Sequence, residues 1–216
     1  MSAPLISETA FWATCALELK QSLQIIATRE ILPRFAHAQI STKHDGTLLS
    51  DADLAVQNAL PNMLSSLYPA PLLGEEMPTE VQQRLWQDCQ KGGSAIWIAD
   101  PIDGTTNFAN GLPWFAISVA LVHKGVTVLG ATIAPALQQS WHASLDGGSY
   151  CNDTRLTLST EPRSLKECVM GVDMTYLPAH LRQQIAHISP AGITREDGQS
   201  APWRGWRSLG ARGQSF

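Results

Sequence analysis

Trp97-Ile98-Ala99-Asp100-Pro101-Ile102-Asp103-Gly104-Thr105-Thr106-Asn107-Phe108 is the stretch on which the reading of this chain turns. An apolar segment of β character, Ser94 to Ala99, runs straight into two aspartates three positions apart, then Gly-Thr. Pro101 disfavours helix for Asp100 and fixes its own φ, so the chain must leave the strand through a rigid bend. Both carboxylates can then converge at the C-terminal end of the strand, where open sheets place ligands. Gly104 permits close backbone approach, and Thr105 supplies a hydroxyl at the start of a short helix whose leading N–H groups suit an anion. Carboxylates for hard cations beside an anion cradle suit phosphoester hydrolysis.

By itself D-P-x-D-G-T also reads as an ordinary strand-to-turn connection, because Asp, Pro and Gly are the commonest turn residues. The flanking residues separate the two readings. The run matches every fixed position of W-x-x-D-P-x-D-G-T-x-N-F, and so closely resembles the signature of the inositol monophosphatase family.

Two further pieces stand upstream in the order that family requires. Leu72-Leu73-Gly74-Glu75-Glu76 is an apolar run ending in paired acids and resembles the family's G-E-E element. Adjacent carboxylates repel unless solvent or a cation relieves them. Lys43-His44-Asp45-Gly46-Thr47, then Ser50-Asp51, resembles the lysine-containing loop and the T-x-x-D helix start. Ser50 is a candidate N-cap, with Asp51 and Asp53 in a first turn that favours negative charge. Downstream, Gly148-Ser149-Tyr150-Cys151-Asn152 is similar to the family's G-A-x-x-N-G turn, with Asp153 where glycine is usual.

The resemblance implies hydrolysis of a phosphomonoester by metal-activated water. Glu75, Asp100 and the Ile102 carbonyl would hold the first Mg²⁺, and Asp100 and Asp103 would share a second, of two or three ions in all. Thr105, hydrogen-bonded to Asp51, would orient the water and pass its proton on. Backbone N–H groups at Gly104 and Thr105 would hold phosphate oxygens, so that Glu75, Ile102, Asp103, Gly104 and Thr105 surround the substrate. The Thr106-Asn107-Phe108 ending is similar to the inositol-phosphate branch. Related branches act on histidinol phosphate, fructose bisphosphate or phosphoadenosine nucleotides, and a non-catalytic binding or regulatory remnant of the fold is the other class.

Composition agrees with this reading. With 216 residues and 44% hydrophobic content the chain can bury a substantial core. A net charge of −4 gives no electrostatic case for nucleic acid or an anionic membrane as partner. Only bound metal would reverse the local sign for an anionic substrate. Four cysteines, at 15, 89, 151 and 168, show no C-x-x-C pairing, which points to reduced thiols in a cytoplasmic protein. Met-Ser-Ala-Pro lacks the basic and apolar regions of a secretory signal.

Trp12, Cys15, Leu19, Leu23 and Ile26 recur at helical spacing and predict a first helix ending near Pro33. Val56, Leu60, Met63 or Leu64, and Leu67 predict a second from about Asp51 to Tyr68-Pro69. Strands follow over 115–122, 126–133 and 140–144, so the chain reads as α+β, an antiparallel meander after two helices. The resemblance implies the sugar-phosphatase layered sandwich, with residues 1–164 carrying the site and 165–216 an incomplete C-terminal α/β part. In that part 167–172 reads as a strand and 178–188 as a helix. The resemblance and the aromatic-rich Phe108–Phe115 segment together imply a homodimer.

Trp203, Trp206, Arg207, Ser208, Leu209 and Gly210 resemble the family's R-x-x-G-[ST]-A junction, and the match stops at Ala211. Family members continue to a W-D-x-A-G element whose aspartate completes the second metal site. This sequence lacks it. The resulting expectation is a truncated or frame-shifted product, weak in its second Mg²⁺ and slow in turnover.

Overall fold

A computed structural model describes residues 7–42, 48–75, 77–91, 95–158 and 177–187. The chain divides into two compact units, Met1–Leu156 and Thr157–Ser215. In the second, α5 (Ala179–His187) falls where helix was expected. The expected strand over 167–172, the Lys43 loop, Glu76 and the 203–210 junction lie outside the described residues.

The first unit opens with α1 (Glu8–Ile26), whose N-cap Ser7 accepts from the Ala10 N–H. The expected single helix to Pro33 is interrupted. Residues Ala27–Ile31 form a π turn in which the Leu32 N–H reaches the Ala27 carbonyl, and a 3₁₀ turn follows over Leu32–Arg34. Pro33 has no N–H to continue the α ladder, so the last bonds lengthen and then tighten.

A short hairpin, β1 (Ile40–Thr42) and β2 (Leu48–Ser50), leads into α2 (Asp51–Leu67). The main sheet of seven described strands follows in the order β3 (Leu72–Gly74), β4 (Ala95–Asp103), β5 (Ala116–His123), β6 (Val126–Ala134), β7 (Gln139–Ser144), β8 (Gly148–Cys151), β9 (Thr154–Arg155). β3 and β4 are parallel and every later pair is antiparallel. The parallel pair needs a crossover, and α3 (Thr79–Gln90) supplies it.

Strand alternation sorts side chains into two layers. Trp97, Ala99, Ile117, Val119 and Leu121 join the main core with Leu19 and Leu23 of α1 and Val56, Leu60 and Leu64 of α2. Ile96 and Val122 face the other way and pack with Cys89 of α3. The sheet thus lies between α1/α2 and α3, the layered α+β sandwich. Trp97 is fully buried, and its indole N–H donates to the Tyr68 carbonyl at 3.0 Å, joining β4 to the end of α2.

The aromatic residues of the 108–115 segment divide between core and surface. Phe108 and Phe115 are buried against Phe35, with ring centroids 4.9 Å apart, so they belong to the core and not to a subunit contact. The exposed large hydrophobic residues of that segment are Leu112 and Trp114. No described helix is long and apolar enough to cross a membrane. Cys15, Cys89 and Cys151 are free thiols.

Candidate active site

The end of β4 builds the site by breaking its own regularity. Asp100 pairs with Ser118 and Asp103 with Ala116, so β4 carries one residue more than β5 across that interval. Two residues three apart on a regular strand face opposite sides; the extra residue of a bulge brings them to the same side. Pro101, which has no N–H for the ladder, occupies the bulge beside buried Ile102.

Glu75 arrives from the neighbouring strand. Gly74 stands opposite Ala99 in the parallel pair, so Glu75 leaves β3 where Asp100 leaves the core of β4. Gln82 of α3 secures this turn: its amide N–H₂ lies 3.0 Å from the Gly74 and Glu75 carbonyls and 3.1 Å from that of Met77.

The third approach is the start of α2. Ser50 and Asp53 form a capping box that buries both, Asp53 to 4% exposure. Asp53 is the acid whose charge reaches Asp100 from α2. Asp51 turns elsewhere: its carboxylate accepts from the Gln39 N–H at 3.1 Å and stands 3.5 Å from the Arg34 guanidinium. The expected Thr105–Asp51 hydrogen bond is therefore replaced. The Thr105 hydroxyl donates to the Ile102 carbonyl at 3.0 Å. Helix geometry explains the exchange, because residues two apart in a first turn point to different sides, and the N3 residue is the one that folds back on the cap.

Asp100 is the electrostatic centre. Burial pushes its carboxyl up to about 7, and repulsion from Asp103, Glu75 and Asp53 adds to the rise, while the Ile102 N–H bound to it pulls the other way. Its Oδ1 is buried without a hydrogen-bond partner among the described residues. A buried carboxylate oxygen without a donor, within electrostatic reach of three further acids, fits a hard cation bound through oxygen. As they stand, no three acidic, histidine or cysteine side chains among the described residues converge as a closed ion cage. The fit rests on the donor chemistry and the orphaned oxygen.

Gly104 turns the chain from β4 into α4 (Thr105–Ala109) at φ 90°, ψ 35°. A Cβ there would lie 2.7 Å from the Trp114 carbonyl oxygen and 3.3 Å from the Phe115 Cα, so only glycine is accommodated. The buried Asn107 amide donates to the same Trp114 carbonyl at 2.7 Å, tying α4 to the chain that enters β5. Leading N–H groups of a helix lack internal acceptors, which leaves those of α4 for an outside anion.

The sequence alone places Asp53 only in the capping turn and Asn107 only within the signature, and it does not point to Gln82. Ser50-x-x-Asp53 is itself the T-x-x-D spacing, so Asp53 could have been found by counting from the cap. Gln82 carries no local signal, because its partners are backbone carbonyls across a loop.

Comparison with known proteins agrees with this architecture. The model of the inositol monophosphatase family matches residues 12–210. Inositol-1-monophosphatase of Rhizobium meliloti is 34% identical over 140 residues, 64% of this chain and 49% of the relative. Histidinol-phosphatase of Mycobacterium tuberculosis is 38% identical over 120 residues, 53% of this chain and 41% of the relative. The crystal structure of the extragenic suppressor protein suhB from Bartonella henselae superposes with a TM-score of 0.65 at 30% identity, covering 85% of this chain and 70% of that one. The chain spans about half the length of the curated relatives it matches.

Proposed function

Because the chain belongs to the inositol monophosphatase family, we propose that it hydrolyses a phosphomonoester with Mg²⁺, inositol monophosphate being the first substrate to test. The carrying observation is the buried, unpartnered Asp100 oxygen among acids, beside the left-handed Gly104 turn. Glu75, Asp100, Asp103 and the Ile102 carbonyl are the groups that would hold the metal, as two or three ions. When bound, Mg²⁺ lowers the pKa of a coordinated water and offsets charge on the leaving oxygen.

The protein's own groups do the positioning. Thr105 gives its hydroxyl proton to Ile102, so its oxygen lone pairs are free to accept from an attacking water. Asp53, in place of Asp51, is our candidate for the group that takes the water's proton onward. Its burial and its charge at Asp100 support that reading. The N–H groups at Gly104 and Thr105 are the candidate phosphate donors, since a fixed backbone needs no reorganisation as charge develops.

The similarity to a histidinol-phosphatase makes histidinol phosphate the second substrate to try. A homodimer is also proposed, resting now on exposed Leu112 and Trp114, and sedimentation velocity measures it directly. For activity, phosphate release is measured from inositol 1-phosphate, histidinol phosphate and fructose 1,6-bisphosphate with Mg²⁺ or with EDTA. Release from at least one ester, abolished by EDTA and by Asp100→Asn, is the expected result. No release from any of them would overturn the reading.

A further inference from the structure

A cavity of about 580 Å³ lies between α1 and the β7–β8 hairpin, and none of its lining residues belongs to the Asp100 site. Its size is that of a small-molecule pocket. Ala13 and Leu17 of α1 give it an apolar wall, and one turn further along the helix Lys20 closes one end.

Lys20 is unusual. Its side chain is only 5% exposed, yet its ammonium has a 2.6 Å contact with Asp153, a residue 68% exposed. A buried cation needs a counter-charge, and this one is held by a solvated carboxylate in a left-handed turn (φ 66°). Such a partner can be exchanged at little cost, because Asp153 loses no burial when it swings into water.

Beside this pair sits His142, 8% exposed and with no hydrogen-bond partner at Nδ1 among the described residues. Its ring stacks on Tyr150 with centroids 4.9 Å apart and planes 9° from parallel, which fixes the direction of that nitrogen. Burial holds the imidazole below its usual range and the Lys20 charge adds to this, against the smaller opposing effect of Asp153. Both effects favour the neutral ring, whose Nδ1 can carry the N–H. An orphaned buried donor next to a buried cation with an exchangeable counter-ion is an anion site waiting for its oxygen atoms.

We propose that this cavity binds a small organic anion, its charged oxygens taken by Lys20 Nζ and His142 Nδ1 and its apolar body lying along Ala13 and Leu17, while Asp153 moves to solvent. A carboxylate and a phosphate ester share that chemistry. The site does not depend on the phosphatase reading.

The test is NMR of the full chain with ¹³C-labelled histidine, in EDTA, with benzoate or phenyl phosphate as probe. The His142 resonance is identified by its absence in His142→Gln. A saturable shift of that resonance is expected, unchanged in Asp100→Asn. A response to benzoate alone, to phenyl phosphate alone or to both supports the site and says which anion it takes. Lys20→Met should weaken binding by about tenfold or more. Asp153→Asn, a change at an exposed position, should tighten it severalfold by removing the competing carboxylate. It carries the test if Lys20→Met does not fold. The proposal is overturned if neither anion shifts His142, if the shift survives Lys20→Met, or if Asp153→Asn leaves binding unchanged or weakens it.

Discussion

Ser50 and Asp53 lock each other at the start of α2: the Asp53 Oδ2 accepts the Ser50 hydroxyl at 2.6 Å and its N–H at 2.9 Å, and the Ser50 Oγ accepts the Asp53 N–H at 3.2 Å. A helix cap thereby fixes a buried carboxylate whose charge reaches Asp100. One pair of residues starts the helix and orients a group of the candidate site.

Asp53→Asn is accordingly expected to lower kcat by about a hundredfold or more. It should also cost about 1–2 kcal/mol of stability through the weakened cap. Asp51→Asn loses only a half-exposed contact with Arg34 and should cost under about 1 kcal/mol, with kcat within a fewfold of the parent. Steady-state kinetics and urea unfolding of the two variants side by side check this.

Gly104→Ala places a methyl against the Trp114 carbonyl in a left-handed backbone. A loss of at least about 2 kcal/mol is expected, together with turnover. Thermal unfolding of the variant measures the first. A variant as stable as the parent would mean that the turn relaxes freely.

Gln82→Leu removes the donor that holds the Glu75 turn without touching any acid. The Mg²⁺ concentration for half-maximal activity should rise severalfold while kcat at saturating Mg²⁺ changes little. An unchanged Mg²⁺ requirement would show that Gln82 does not position Glu75.

The Asp100 proton sets a pH dependence whose sign is unusual for a carboxyl. Its folded-state value lies above its ordinary 3.8, at about 7. The folded state therefore binds the extra proton between those limits, and metal-free stability falls as pH rises from about 4 to 7. The whole effect is about 4 kcal/mol at most. Asp100→Asn should match the parent at pH 4 and exceed it at pH 8 in EDTA, measured by guanidinium unfolding.

Much of this was legible in the sequence, for physical reasons. The meander β5–β7 follows from apolar runs cut by Lys-Gly and Pro-containing turns, and α2 from its Ser cap and a leucine stripe that tolerates Pro61. Asp100 and Asp103 stand together in one local motif, whereas Glu75, far upstream, is singled out only by its resemblance to the G-E-E element. β3 was not, since three residues carry no periodicity and gain their strand identity from pairing with Trp97–Ala99. α3 hid behind a face so polar that Cys89 is its one fully buried residue. The choice between Asp51 and Asp53 depends on which side of a helical turn meets β4. That is tertiary information, although the capping box indicates it.

The acids around Asp100 are expected to take Mg²⁺ in place of a proton. Calorimetric Mg²⁺ titration near pH 6.5, in buffers of differing ionisation enthalpy, reads both binding and the protons released by it. The account predicts release of a substantial fraction of one proton per metal-binding event in the parent, and loss of both the release and most of the affinity in Asp100→Asn. Mg²⁺ binding that releases no proton, or that is as tight in Asp100→Asn as in the parent, would contradict it.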